Sequence, residues 1–402
     1  MKIHFIGIGG IGLSGLAHLY LEKGHEVQGS DQTESEILNG FNVFLGHKKE
    51  NITSDIDLVI FSEAVSEDNV ELKRAKELNI PCLSGAQALA KLSKEYFCIC
   101  VSGMHGKTTT SCMLAKILTD CGFDPTYIIG TKNGWRKGNS KYLVIEADDY
   151  KAKLLNYEPD VLILTNIEEE HMDFFKSLNH ILKVFKQYVS QVKEVIIANE
   201  DDENIKKVLK GVEKKIEYYS KGKIQLSVPG EHNKYNAQAA LKTALYLGIE
   251  KEKALKSLKQ YKGTWRRFQE KEINGILVIS DYAHHPTEIR ATLKAVKEKY
   301  PKKKLWCFFQ PHQKQRTFYL FNNFVKSFRE NMPDELFITD IYEVKGRERR
   351  DIKVSASGLA QEIGAKYLKQ DKIADFIKKN VKKGEIALIM GAGSIYEIIH
   401  SL

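Results

Sequence analysis

The sequence predicts an α/β protein built from successive doubly wound parallel sheets, and three observations carry that expectation. Short apolar strands rich in β-branched residues recur along the 402-residue chain, each ending in a polar or glycine-rich loop that runs into a helical pattern. Two of these junctions hold glycine clusters that let backbone N–H groups approach phosphate, one from Gly7 to Gly12 and one from Gly103 to Gly106. A third block of strands, between Ile276 and Met390, ends repeatedly in Asp, Gln, His or Gly, as the carboxyl edge of a parallel sheet does.

Composition sets the frame for these elements. With 43% hydrophobic and 28% charged residues and no low-complexity tract, the chain should form two or three globular domains with ample cores. The first residues run straight into a strand pattern at Lys2 to Ile6 without a signal-peptide pattern, and no apolar run approaches the roughly 18 residues of a membrane span. A soluble, cytoplasmic protein with no membrane partner is therefore expected. The six cysteines form no CxxC pair, which predicts reduced thiols and neither a disulfide framework nor a zinc site. The formal charge of +9, from 61 Lys and Arg against 52 Asp and Glu, is spread along the chain. A lysine-rich solvated surface explains it as well as nucleic-acid binding would, and no basic-aromatic patch points to nucleic acid.

The first element is a strand over Ile3 to Ile8, followed by Gly7-Ile-Gly9-Gly10-Ile-Gly12, a helix to about Lys23, and a second strand ending at Ser30-Asp31. This is a Gly-x-Gly-x-x-Gly fingerprint in its strand-turn-helix setting with an acidic residue about 20 positions on, so it reads as a diphosphate binder with Asp31 placed for a ribose or base edge. Taken alone it suggests a dinucleotide dehydrogenase, or glycines that serve only tight helix-strand packing. A strand at Leu58 to Phe61, a helix around Asn69 to Leu78 and a strand at Ile80 to Leu83 complete a small α/β domain ending near Leu92.

The second segment opens on Cys98-Ile-Cys-Val-Ser-Gly-Met-His-Gly-Lys-Thr-Thr-Thr-Ser111, a strand, a phosphate loop and a helix. Lys107 would reach the β/γ-phosphates and the Thr108 hydroxyl would ligate Mg²⁺. Val101 stands where the full eight-residue pattern opens with Gly, which leaves a turn without function as the alternative. Tyr142 to Asp149 and Val161 to Thr165 read as strands ending in Glu146, Asp148, Asp149 and in Glu168 to His171. Strand-end placement makes Thr108, Glu146 and His171 candidate Mg²⁺ ligands, against the plainer reading of the carboxylates as helix caps and His171 as a loop residue. Asn233 and Asn236, three apart near the start of a long helix, either cap it or face a base edge.

In the third segment a strand at Ile276 to Ile279 leads to Asp281, His284 and His285, with Pro286-Thr-Glu288 starting a helix. Further strands end at Gln310-Pro-His312 with Arg316 beyond, at Asp340-Ile-Tyr342, and at Gly391-Ala-Gly393.

Taken together these motifs resemble the Mur ligases of peptidoglycan synthesis, in the family's order and from end to end. The resemblance rests on His4-Phe-Ile-Gly-Ile-Gly-Gly-Ile-Gly12, Gly29-Ser-Asp31, Gly103-Met-His-Gly-Lys-Thr-Thr-Thr110, Glu146-Ala-Asp148, Thr165-Asn-Ile-Glu168 with His171-Met-Asp173, and His232-Asn-Lys-Tyr-Asn-Ala237. It extends through Arg266-Arg-Phe268, Asp281-Tyr-Ala-His-His-Pro-Thr-Glu288, Phe309-Gln-Pro-His312 with Arg316, and Gly391-Ala-Gly393. The family implies a three-domain architecture: a Rossmann-like UDP-sugar domain over residues 1–92, a P-loop ATPase domain over 93–270 and a Rossmann-like domain for the amino acid over 271–402. Its glycine fingerprint would hold the diphosphate of a UDP-sugar instead of NAD.

Within the family the motifs are most similar to members that join L-alanine to the lactyl carboxylate of UDP-N-acetylmuramate, with ATP and Mg²⁺, through an acyl phosphate. That implies two small-molecule substrates beside ATP, and a monomer or weak homodimer. By resemblance ATP would contact Gly103, Met104, His105, Gly106, Lys107, Thr108 and Thr109, with Asn233 and Asn236 near adenine and Arg267 and Asp281 completing the site. The UDP-sugar would contact Gly9, Gly10, Ile11, Gly12, Ser30 and Asp31, with His284 and His312 orienting the muramate. Lys107, His171, Arg267, His285 and Arg316 would be catalytic, and Thr108, Glu146 and His171 would hold metal. The chain departs from the usual pattern at Met104 (Thr), Glu170 (Asp), Asp149-Tyr150 (Glu-Ser) and Gln313 (often Arg), and it is short between Tyr218 and Val228, where a trimmed hairpin is expected.

Overall fold

Strand β1 (Lys2–Ile6) has Ile3, Phe5 and Ile6 fully buried, since a strand covered on both faces has no solvent side to keep polar. It belongs to a computed structural model that describes residues 1–344 and 352–402 and divides into two compact units. The first comprises Met1–Ile167, Leu182–Ser220 and Gln238–Leu258; the second comprises Glu168–Ile181, Lys221–Ala237 and Lys259–Leu402.

The first unit holds two sheets. One combines β1 with β2 (Glu26–Asp31), β3 (Asn42–Leu45), β4 (Leu58–Phe61) and β5 (Cys82–Ser84) in the order β3-β2-β1-β4-β5, all parallel. Strand order reverses at β1, so the glycine loop after it lies at a topological switch point, where the carboxyl ends of such sheets take ligands. Helices α1 (Ile11–Glu22), α2 (Val70–Glu77) and α3 (Gly85–Ser93) complete this part. The other sheet is built from β6 (Phe97–Ser102), β7 (Thr126–Ile128), β8 (Trp135–Arg136), β9 (Tyr142–Glu146), β10 (Val161–Leu164), β11 (Val195–Asn199) and β12 (Lys215–Tyr219). Its order is β12-β11-β10-β6-β9-β7-β8, so β6 is the middle strand and delivers the phosphate loop to the centre of the edge. Helix α4 (Lys107–Asp120) follows. The two sheets meet where α1 packs on β8: His18 stacks on Trp135 with centroids 4.2 Å apart, and a Cβ on Gly15 would lie only 3.0 Å from Trp135 Cβ.

The second unit carries β13 (Gln269–Ile273), β14 (Ile276–Asp281), β15 (Leu305–Phe309), β16 (Glu335–Ile338), β17 (Lys366–Tyr367) and β18 (Ile386–Met390) in the order β13-β14-β18-β15-β16-β17. Adjacent residues in these strands feed opposite cores, as the two-residue period requires: Phe309, Leu388 and Met390 join one cluster, Phe308, Ile389 and Trp306 the other. Burying a phenylalanine of this kind stabilises the fold by about 1.5–3 kcal/mol.

Several elements were invisible to periodicity. Strand β13 reads Gln-Glu-Lys-Glu-Ile and pairs antiparallel at a sheet edge, where charge guards against edge-to-edge association. Strands β7, β8 and β17 are only two or three residues long. After β9 the chain enters a 3₁₀ segment, Tyr150–Asn156, with left-handed Lys151 and Ala152, so the carboxylates at that strand end cap no α-helix. Asp281 is the last residue of β14 and His285 the N-cap of helix Pro286–Lys299, so the loop expected to hold both is shorter than read. Among the described residues no strand lies between β12 and helix Glu231–Tyr246. All six cysteines are free, and no helix among the described residues is long and apolar enough to cross a membrane.

Candidate active site

In the first unit the phosphate loop is held by backbone geometry that only glycine accepts. Gly106 caps α4 at φ 80°, and Gly103 sits at φ 133°, where a Cβ would collide with Thr165 Oγ1 and the Asn166 backbone. Lys107 Nζ donates to Gly103 O (2.6 Å), Met104 O (3.0 Å) and Asp149 Oδ1 (2.7 Å). Burial disfavours this ammonium, but Asp149, Asp148 and Glu146 outweigh it and raise its pKa above the ordinary lysine value. Thr108 Oγ1 lies 3.1 and 3.0 Å from the two Glu146 oxygens, and Gly130 N–H donates to Glu146 Oε2 at 3.1 Å. A hydroxyl and a carboxylate in contact at a strand end form the all-oxygen donor set that suits Mg²⁺.

Two expected loop donors face the other way. Met104 N–H donates to Asn166 O (3.1 Å) and His105 N–H to Asn166 Oδ1 (2.9 Å), so these amides fasten the loop to the segment after β10. The first-turn donors that lack intrahelical partners are those of Gly106, Lys107, Thr108 and Thr109, since Thr110 N–H is the first to bond back, to Gly106 O.

At the N-terminal glycine loop, Gly9 N–H donates to Asp31 Oδ2 at 2.9 Å, which ties the loop to the end of β2. Helix α1 starts after Gly10 with no side-chain cap, leaving the first-turn amides from Ile11 onward available to an anion. A cavity of about 330 Å³ runs from Gly10, Ile11 and Gly12, past Glu63 and Gly85, to Glu146, Asp148 and Lys153. Ser30 is fully buried and donates to Glu71 Oε2 at 2.6 Å. Glu71 also receives Asn51 Nδ2 (2.5 Å) and lies 3.1 Å from His47 Nδ1. Burial pushes its carboxyl up, yet His4, whose Nε2 lies 3.8 Å away, and the hydrogen bonds from Ser30 and Asn51 outweigh that and hold it below the usual range.

The second unit gathers most of the remaining candidates. Arg316 Nε donates to Glu170 Oε1 at 2.9 Å, both side chains about 5% exposed, and Arg316 Nη1 reaches His312 O and Nδ1 at 3.0 Å. Burial works against the Glu170 charge, but the Arg316 guanidinium outweighs it and holds the carboxyl well below the ordinary range. His171 adopts φ 54°, with its N–H donating to Glu170 Oε1 at 2.9 Å. His285 accepts from Thr287 N–H at Nδ1 (3.3 Å), so the proton sits on Nε2 and points to Glu169 O (3.2 Å). This histidine caps the helix Pro286–Lys299. His284 is pushed down to about 3 by burial, with Glu288 opposing and Arg316 assisting, and is neutral.

Asp281 is likewise committed inside this unit: it receives Phe268 N–H (2.7 Å), Ala283 N–H (2.9 Å) and Thr292 Oγ1 (3.0 Å). Asn233 Nδ2 binds Pro229 O at 2.6 Å and Asn236 Nδ2 binds Asn233 Oδ1 at 3.3 Å, so the pair shapes the start of its helix. Arg267 lies over the Tyr282 ring and 3.6 Å from Glu288.

The chain matches the Mur ligase family catalytic domain over residues 2–97, the Mur ligase middle domain over 101–223, and the Mur ligase glutamate ligase domain over 266–393. It belongs to the Mur ligase family. It is 38% identical to the UDP-N-acetylmuramate–L-alanine ligase of Caldanaerobacter subterraneus subsp. tengcongensis, covering 99% of this chain and 96% of that one. Its fold is similar to the UDP-N-acetylmuramate-alanine ligase of Thermotoga maritima, with TM-score 0.83, 27% identity and coverage of 100% and 97%. A murein peptide ligase from Psychrobacter arcticus aligns with TM-score 0.73 and 25% identity over 100% and 97%.

Against this Mur ligase frame, the structure brings Lys107, Thr108 and Glu146 together in the first unit and places His171, His284, His285, His312 and Arg316 in the second. Sequence reading missed Asp149 as the counter-ion of Lys107, Asn166 as the loop latch and Glu71 as the buried anchor of Ser30. It also passed over Arg266, whose Nη2 grips Gly391 O (2.5 Å) and Gly393 O (3.0 Å) while its guanidinium covers Tyr396. For Asp149 a signal existed in the strand-end carboxylate run; for the others only three-dimensional contact supplies one.

Proposed function

We propose that this Mur ligase joins L-alanine to the lactyl carboxylate of UDP-N-acetylmuramate at the expense of ATP, in peptidoglycan synthesis. The observation that carries the reading is the similarity, over nearly the whole chain, to ligases of that specificity, combined with the Lys107, Thr108 and Glu146 cluster at a phosphate loop. A lactyl carboxylate oxygen attacks the γ-phosphorus, the bond from that phosphorus to the bridging oxygen breaks, and ADP leaves. The alanine amine then attacks the acyl carbon of the acyl phosphate, inorganic phosphate departs, and the amine gives up a proton.

Phosphoryl transfer depends on alignment and charge neutralisation more than on covalent chemistry by the protein. Lys107 is the cation for the β/γ oxygens, and the first-turn amides of α4 face the phosphates. Thr108 and Glu146 would hold Mg²⁺, and His171 is assigned to a second ion. The metal would neutralise the transferring phosphoryl group. Arg316, locked by Glu170 and His312, is a fixed positive site for a substrate carboxylate, and Arg267 is assigned to the nucleotide. Asn233 and Asn236 are assigned to the adenine, Asp281 to the nucleotide beside Arg267, and His284, His285 and His312 to orienting the muramate and the alanine. The domain limits are assigned at 1–92, 93–270 and 271–402. The enzyme is assigned to the cytoplasm as a monomer or weak homodimer.

The test is phosphate release from ATP with UDP-N-acetylmuramate and a panel of alanine, serine, glycine and murein tripeptide. Release that requires the UDP-sugar and is strongest with alanine is expected. Activity with tripeptide alone would place the chain with the murein peptide ligases and overturn the assignment.

A further inference from the structure

Resting on that substrate assignment, we propose that Lys153 is the cation that receives the lactyl carboxylate of the sugar nucleotide, and that Glu63 is a resident carboxylate competing for it. Both side chains line the 330 Å³ cavity of the first unit, together with the first turn of α1 and the carboxylates Glu146 and Asp148. Among the described residues lining it, three carry carboxylates and Lys153 alone is cationic. Its Nζ lies 3.0 Å from Asp148 Oδ2 and 4.0 Å from Glu63 Oε2, and the side chain is 21% exposed, near enough to solvent to exchange partners.

Chemistry divides the cavity into two ends. The α1 amides at Ile11 and Gly12 suit a diphosphate, because an uncapped helix start offers convergent N–H groups. Lys153 holds Asp148, two residues from Glu146, which itself contacts Thr108 of the phosphate loop. A carboxylate that must reach the phosphoryl donor therefore arrives at the Lys153 end, beside Glu63 and Asp148, whose like charges repel it. One ammonium with a loose second partner is the group that offsets this repulsion.

Glu63 explains how Lys153 is kept ready. Its Oε1 accepts Ala86 N–H at 3.1 Å in the first turn of α3, so the residue already stands as an anion at a helix start, with its other oxygen turned to Lys153. An incoming carboxylate would replace Glu63 beside the ammonium while Asp148 keeps its contact with Lys153 and Ala86 N–H its contact with Glu63.

The experiment measures binding of UDP-N-acetylmuramate and of UDP-N-acetylglucosamine, which lacks the lactyl group, by titration calorimetry, alongside steady-state kinetics and melting. Lys153→Met should weaken UDP-N-acetylmuramate about tenfold to a hundredfold, the loss of one hydrogen bond between charged groups. Binding of UDP-N-acetylglucosamine and KM for ATP should be unchanged, and Lys153→Arg should recover most of the loss. Glu63→Gln, which keeps an acceptor for Ala86 N–H, should lower KM for UDP-N-acetylmuramate. Equal weakening of both sugar nucleotides would put Lys153 on the diphosphate and overturn the proposal. A lowered melting temperature with unchanged affinities would make the pair structural and overturn it as well. Wild-type protein that fails to turn over UDP-N-acetylmuramate would refute the assigned reaction itself, a result separate from both.

Discussion

Removing the carboxylate beside Lys107 should cost the first unit much of its stability and make that stability depend on ATP. Asp149 is fully buried and 2.7 Å from Lys107 Nζ, whose side chain is 12% exposed. At that separation the gross attraction is about 6 kcal/mol for an effective dielectric of roughly 20. Desolvation offsets part of it, and stripping one partner from a buried pair leaves a net cost of about 3–5 kcal/mol. Asp149→Asn keeps the shape and gives up the charge, leaving the ammonium with the Gly103 and Met104 carbonyls. For a unit of this size the loss corresponds to a drop in melting temperature of about 6–20 °C. Because the folded lysine pKa lies above its unfolded value, the contribution is complete below about pH 10.4 and is lost only as pH rises through the higher folded value. The difference between wild type and variant should therefore be flat across neutral pH. Scanning fluorimetry with and without ATP is the assay, and ATP should raise the melting temperature of the variant more than that of wild type, since its phosphates supply the missing negative charge. A change under 2 °C, or an ATP shift smaller in the variant, would refute the view that Asp149 is the counter-ion.

Three further outcomes follow from the same geometry. Glu146→Gln should raise the Mg²⁺ concentration needed for half-maximal phosphate release at least about tenfold, and chelation should abolish release until Mg²⁺ is restored; an unchanged metal titration would remove Glu146 from the ligand set. Arg316→Met strands the buried Glu170 carboxylate and should destabilise the second unit by about 3–5 kcal/mol, whereas Arg316→Met with Glu170→Gln should recover a large part of that in urea melts. His284, faced by Glu288, Arg316 and Glu170, has a folded pKa of about 3 against about 6.5 unfolded. The unfolded chain thus binds the extra proton first, and stability should fall as pH drops below about 6.5, by up to about 1.4 kcal/mol per pH unit. His284→Gln should flatten that acid limb; an identical limb in the variant would assign it to other groups.

What the sequence determined by itself was whatever is local. Strand, glycine turn and helix follow one another within about 20 residues, so β1, β6, β14, β15 and β18 and the loops behind them were legible from periodicity and from the residues at their ends. Thr108 and Glu146 were paired in the reading because both stand at the ligand edge that a parallel sheet creates. Tertiary structure alone decided which polar groups are already spent. Ser30 donates to Glu71 across 41 positions, Met104 and His105 tie to Asn166, His285 points to Glu169 across 116, and Arg316 reaches Glu170 across 146. A hydrogen bond forms wherever a donor and an acceptor meet in space. Sequence distance carries no record of that meeting, so residue type named the candidates and packing chose which of them stay available for chemistry.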